Sequence, residues 1–114
     1  MVSKGWDAKM GTYIQVTTTT ETESDAQAIA RAVVEKRLAA CAQVIGPITS
    51  TYWWQGKVET AQEWLCAIKS RATLYKELEW AIQAIHPYEE PEIIATPITK
   101  GSEGYLAWMD ENTK

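Results

Sequence analysis

The chain has 114 residues, 46% of them hydrophobic, with 15 acidic and 11 basic side chains and a formal net charge of −4. That length makes one domain with a modest core, burying roughly two-thirds of the surface exposed when unfolded. The apolar fraction excludes a disordered chain, the acidity disfavours binding to nucleic-acid phosphates, and no run approaches the roughly 20 apolar residues of a membrane span.

Residues 1–11 show no periodicity and read as a flexible leader or a cloning remnant, with Met10 a second candidate start and the domain running over 12–112. They lack the basic-then-apolar pattern of a secretory signal, so the expected location is cytoplasmic, with no membrane and no nucleic-acid partner. Tyr13 to Thr20, rich in Tyr, Ile, Val and Thr, predicts a first strand. Ser24 and Gln27 form a capping-box pair before Ala26, Ile29, Ala30, Val33 and Val34, which follow the spacing of an amphipathic helix ending near Leu38. Cys41 to Trp54 predicts a long strand, bent at Gly46-Pro47 because proline donates no ladder hydrogen bond. Gln55-Gly56 is a two-residue turn, and Val58 to Ser70 returns as the partner strand. On it, Leu65, Ala67 and Lys69 share one face and Trp64, Cys66 and Ile68 the other. Leu74, Leu78, Ala81, Ile82 and Ile85 predict a second helix that stops at His86, before Pro87. Glu92 to Thr99 predicts a short strand that Pro97 confines to a sheet edge or makes a strand end, and Ser102 caps a third helix carrying Tyr105, Leu106, Trp108 and Met109.

The order βαββαβα is that of an α+β, ferredoxin-like domain, with both crossover helices on one face of an antiparallel sheet. Its hairpin is long for so small a domain. Trp53, Trp54 and Trp64 fall in it, among six tryptophans in a chain with no phenylalanine. A domain of this size cannot hide three such rings. A subunit interface is one place for them and a ligand pocket another.

His86-Pro87-Tyr88-Glu89-Glu90-Pro91-Glu92 concentrates the only histidine, a tyrosine, three carboxylates and two prolines in one connection. Imidazole and carboxylate together are metal-ligand chemistry, although a histidine in this place also caps a helix C-terminus, its charge favoured by the dipole. Cys41 is either a soft thiolate ligand or a small buried hydrophobe; Cys66 reads as a buried thiol. Two cysteines at this spacing form neither a disulfide framework nor a metal knuckle. Lys69 either binds an anion or carries its charge outward on its stem. Glu59, Glu63, Glu77 and Glu79 read as solvated faces.

Four stretches resemble one family. Glu35-Lys36-Arg37-Leu38-Ala39-Ala40-Cys41-Ala42, the hairpin segment Ile48 to Glu59, the loop His86 to Glu92, and Tyr105-Leu106-Ala107-Trp108 resemble, in order, motifs of the CutA proteins. The resemblance covers about Tyr13 to Trp108. It implies a homotrimer whose hairpins pair across subunits, similar in architecture to PII signalling proteins. It also implies a part in divalent-metal tolerance, chiefly copper, without catalysis. No cofactor is required under this resemblance, and copper or another divalent cation is the implied bound metal. Onto this chain it carries His86, Cys41 and Glu89 as metal residues. Lys69, Trp54 and Tyr88 become cleft residues, and Tyr52, Trp53, Trp54 and Trp64 trimer-interface residues. Two positions depart from a copper-binding pattern within the family: Thr18 stands where that pattern has a cysteine, and Ile85 where it has a second histidine.

Three other functions remain to be weighed. A PII-like ligand sensor is favoured by the concave clefts of a trimer. An acylphosphatase needs an asparagine beside its phosphate site, and the only asparagine is Asn112. An RNA-recognition module needs a basic-aromatic strand motif that this acidic chain does not contain.

Overall fold

The computed structural model describes residues 12–114; the segment read as a leader lies outside the described residues. The elements are β1 (Tyr13–Thr20), α1 (Glu23–Glu35), β2 (Cys41–Trp54), β3 (Lys57–Arg71), a 3-10 turn (Ala72–Leu74), α2 (Tyr75–Ile85), β4 (Ile94–Pro97) and α3 (Glu103–Glu111). The sheet has the order β2-β3-β1-β4, and every neighbouring pair is antiparallel. This is the ferredoxin-like arrangement that the element order predicts.

Strand alternation decides what is buried. Ile14 and Val16 of β1, Cys66 and Ile68 of β3, and Ala42 and Val44 of β2 turn to the face covered by the helices. There they meet Ala26, Ile29 and Val33 of α1 and Leu78, Ala81 and Ile82 of α2. On the opposite face a smaller cluster joins Tyr13 and Ala40 to Leu106 and Met109 of α3, with Ile98 beside them. Burial pushes the Cys66 thiol up to about 11, as expected of an inert thiol in the core.

Boundaries moved where local chemistry outweighed spacing. The cap of α1 is Thr22, two residues before the expected Ser24. Its Oγ1 accepts from the Asp25 N–H at 3.1 Å, and Glu23 and Asp25 place negative charge on the first turn. Helix α1 ends at Glu35, ahead of Leu38, because Arg37 adopts a left-handed conformation with φ 60°. Strand β4 is confined to Ile94–Pro97, shorter than Glu92 to Thr99. Pro97 has no N–H to extend the ladder, and Ile98 bonds onward to the Tyr13 carbonyl. Ser102 caps α3 as expected.

The hairpin turns at Gln55 (φ 50°) and Gly56 (φ 79°), the double positive φ of a two-residue turn matched to strand twist. The register between β2 and β3 shifts between Ile45 and Ile48, at the Gly46-Pro47 bend. Beyond that bend the pairs Ile48–Glu63 to Trp54–Lys57 form an arm roughly 20 Å long at about 3.3 Å per residue. The molecule measures 51 × 28 × 23 Å, so this arm stands clear of the core.

Thr18 lies on the helix-side face, opposite Cys66, fully buried, with no hydrogen-bond partner for its hydroxyl among the described residues. A buried unpaired hydroxyl costs about 1–3 kcal/mol. Thr18→Val keeps the shape and removes that cost. The expected result is a higher urea midpoint at unchanged slope; a lower midpoint refutes the assignment.

Candidate functional site

The sequence candidates separate into three places. At one end of the sheet, His86 closes α2 with its backbone already extended, and its N–H donates to the Ile82 carbonyl. Its ring is buried at 8% exposure. Nδ1 accepts from the Tyr88 N–H at 3.0 Å, so it carries no proton, and Nε2 therefore donates to the Thr19 carbonyl at 3.0 Å. Burial lowers the pKa of His86 from its ordinary value of 6.5, against the opposing pull of the Thr19 carbonyl and the Asp25 and Glu63 carboxylates. This differs from a cationic cap favoured by the helix dipole: Nδ1 accepts from Tyr88, and burial disfavours the charged ring, so the ring is neutral. Neither nitrogen has a lone pair to spare for a metal.

Tyr88 crosses back over the hairpin base, donating its hydroxyl to Glu63 at 2.7 Å, and its ring lies 5.0 Å from that of His86. Burial first, and then the Glu63 carboxylate, raise the Tyr88 pKa well above the usual phenol range. Glu63 is thus a loop anchor, where its charge alone suggested a solvated face. The signal lay in alternation, which puts residue 63 on the same face as Leu65, Ala67 and Lys69. Glu89, on the same loop, is exposed.

The second place is the start of β2. Cys41 is half-buried and directly opposite Lys69, with the Tyr105 hydroxyl of α3 close by. Lys69 donates to the Gln43 side-chain oxygen. The ring of Trp108 lies 5.4 Å from that of Tyr105. Gln43 and Tyr105 are the contacts of this group that spacing alone did not reveal. Cys41 and His86 do not meet within one subunit. Thr19 pairs with Leu65 and Cys41 with Lys69, four residues apart along β3, or roughly 13 Å. Among the described residues, no three His, Cys, Asp or Glu side chains converge as a metal ion requires. A subunit by itself does not fit one.

The third place is the arm. Trp53 and Trp54 are 74% and 58% exposed, and Tyr52 and Val58 are exposed beside them. Trp64 differs from Trp53 and Trp54: it sits on the helix-side face of β3 and packs against the core. Its even position gives it the same side as Cys66 and Ile68. Trp80, which no motif singled out, stands 71% exposed on α2. A groove between α1 and β2, lined by Ala30, Val34, Ala42 and Val44 with Gln27, Arg31 and Glu35, holds none of the candidate residues.

The neutral, buried His86 has a consequence for stability. Its folded pKa is depressed, so the unfolded chain takes up a proton first as pH falls. The stability it contributes is complete above 6.5 and is lost as pH drops through 6.5 towards the lower folded value. It is the only histidine. Urea titrations between about pH 7 and pH 5 should show stability falling for the wild type and a shallower fall for His86→Gln. Parallel slopes refute this.

The architecture and its exposed arm define a class: small ferredoxin-like α+β proteins with an extended central hairpin. Residues 14–112 match the family described as CutA1 divalent ion tolerance protein. The chain is 44% identical over 95 residues to the divalent-cation tolerance protein CutA of Thermus thermophilus, covering 83% of this chain and 92% of that one. It is 47% identical over 92 residues to mouse Protein CutA, of which it spans 52%, about half. The solved structure of the Thermus thermophilus divalent cation tolerance protein superposes with a TM-score of 0.87 at 42% identity, over 90% of this chain and 99% of that one. That of a periplasmic divalent cation tolerance protein CutA from Archaeoglobus fulgidus gives 0.86 at 35%, over 90% and 99%. The chain belongs to the CutA1 divalent ion tolerance family. Among the described residues, no helix is long and apolar enough to cross a membrane.

Proposed function

We propose that the chain is a homotrimer acting in divalent-cation tolerance, copper above all. On this reading it binds metal weakly at clefts between subunits, without catalysis, in the cytoplasm. The observation that carries the reading is the arm. It holds Tyr52, Trp53, Trp54 and Val58 in solvent beyond the reach of the subunit's own core. Such aromatic surface is what interfaces bury, and unpaired strand edges invite a second copy. Its relatives' names supply a divalent cation; copper comes from the resemblance alone. This chain's own donors are few. Cys41 offers a soft sulfur and Glu89 an exposed carboxylate, while His86 must give up Tyr88 before it can bind. Weak binding follows.

Light scattering at micromolar concentration tests the assembly; a monomer sinks it. Calorimetric titration of copper and zinc into wild type, Cys41→Ser and His86→Ala tests the metal. Binding that both variants leave unchanged removes these residues from the site.

A second reading is favoured by the engaged nitrogens of His86: a PII-like trimer that senses a small ligand or anchors a protein, with no physiological metal. Nucleotides titrated beside the metals separate the two.

A further inference from the structure

Strand β1 ends at Thr20, opposite Trp64, so from Glu63 outward β3 pairs with β2 alone. Glu63 faces Ile48 in the first pair beyond the register shift, which makes it the root of the arm. A two-stranded ribbon by itself is only marginally stable. Here the root is held from both faces. Trp64 packs against the core on the helix side. Glu63, turned the other way by strand alternation, accepts from the Tyr88 hydroxyl at 2.7 Å. Tyr88 is itself fixed to the body. Its N–H donates to Nδ1 of His86, whose Nε2 donates to the Thr19 carbonyl, and its ring lies 5.0 Å from that of His86. At the far end of the same loop, Glu92 accepts from the Thr17 hydroxyl at 3.3 Å, and the Ile93 carbonyl accepts from Tyr75 of α2 at 3.5 Å. Pro87 and Pro91 restrict the backbone between these anchors.

A loop tied to the body at both ends, with a side chain reaching the root of a projecting hairpin, is built as a strap. We propose that the 86–92 loop fixes the direction of the arm, with the Tyr88–Glu63 hydrogen bond as its catch. While the catch is closed, the arm moves with the sheet. When it opens, the ribbon keeps its own ladder but is free to tilt about the Gly46-Pro47 bend, where the β2–β3 register is already interrupted. A phenol donating to a carboxylate makes a strong catch, because charge assistance shortens and strengthens the bond. The state of the loop thereby sets the freedom of the arm, and a change at either is felt at the other. All of these contacts lie within one subunit, so the strap acts whether or not the copies assemble.

Amide hydrogen exchange on the full chain tests the catch. In the wild type, the amides of residues 49–62 should exchange faster than those of Val16 and Ile68 in the core, through opening of the arm alone. Tyr88→Phe keeps the ring beside His86 and removes the donor. It should speed exchange of the arm amides at least about tenfold, as expected when a charge-assisted bond is lost. Glu63→Gln leaves a neutral acceptor and should give a smaller increase. Combining the two substitutions should add nothing to Tyr88→Phe, because both act on the same bond. If Tyr88→Phe fails to fold, the increase in Glu63→Gln still decides. Arm amides that neither variant speeds up overturn the proposal; if the core amides alone respond, the bond stabilises the fold without holding the arm. Additive effects of the two substitutions overturn it as well. So does a wild type whose arm and core amides exchange at one rate, since the arm then opens only with the whole molecule.

Discussion

Trp53→Ala with Trp54→Ala should abolish the proposed trimer at micromolar concentration while leaving the subunit folded. Both rings sit on the arm, largely in solvent, and neither belongs to the core clusters. Their removal therefore costs the subunit little. In an interface, truncating a buried tryptophan anchor costs about 2 kcal/mol or more, and every subunit of a closed ring bears that loss. Light scattering should show the variant as a monomer, with near-native far-ultraviolet circular dichroism and an unchanged urea slope. Glu77→Ala is the comparison. Glu77 is half-exposed and pairs with Lys114 at 2.6 Å, a surface bridge worth about 0–1 kcal/mol; its loss should leave the assembly intact. A double variant that remains trimeric means that the arm is not what holds the copies together.

Gly46→Ala should destabilise the subunit itself. A Cβ at Gly46 would lie 2.5 Å from Cε3 and 2.7 Å from Cδ2 of the Trp64 ring. That ring packs against the core, and the Trp64 Cα itself would lie 3.2 Å from the added atom, so moving aside costs contacts. The strand must shift or the ring must leave its rotamer, and such overpacking costs about 1–3 kcal/mol. The damage falls where the register of β2 and β3 shifts and the arm departs from the body, so the arm's direction changes with it. Gly104→Ala is the counterpart of opposite sign. Gly104 lies in α3 with nothing within 4 Å of the added Cβ. Replacing a helical glycine with alanine should therefore stabilise by about 0.5–1 kcal/mol. Urea midpoints for the two variants should move apart. If Gly46→Ala unfolds at the wild-type midpoint, Trp64 is not the wedge that this geometry makes it.

Both results depend on features that the chain displays unevenly. Alternation along Trp64 to Lys69 separated the core face from the open face correctly, because a period of two is enforced by the pleat whatever the surroundings. It also put Trp64 with the core, although composition grouped it with Trp53 and Trp54. The run Leu74 to Ile85 and the stop before Pro87 placed α2, since proline excludes helical angles from the residue before it. The Gln55-Gly56 turn was legible for the same kind of reason: glycine makes positive φ inexpensive. The cap of α1 was less so. Thr22 and Ser24 are both competent caps, and the choice depended on where the chain leaves β1.

The site candidates were legible as residue types. Cys41, Lys69, His86, Tyr88 and Glu89 all stand out by chemistry, and the motifs that contain them pointed to the family that residues 14–112 match. What sequence alone determined was the order of the elements, the faces of the strands, the length of the hairpin and the kinship. Each of these is fixed by near neighbours or by covalent geometry. Tertiary structure alone decided which donors are free. His86 spends both nitrogens on Tyr88 and Thr19, Tyr88 holds Glu63, and Cys41 lies opposite Lys69 at one end of the sheet while His86 is held near the other. These partners lie up to 67 residues apart in the chain. No spacing rule reaches that far, because such hydrogen bonds are set by how the sheet and its loops close in space.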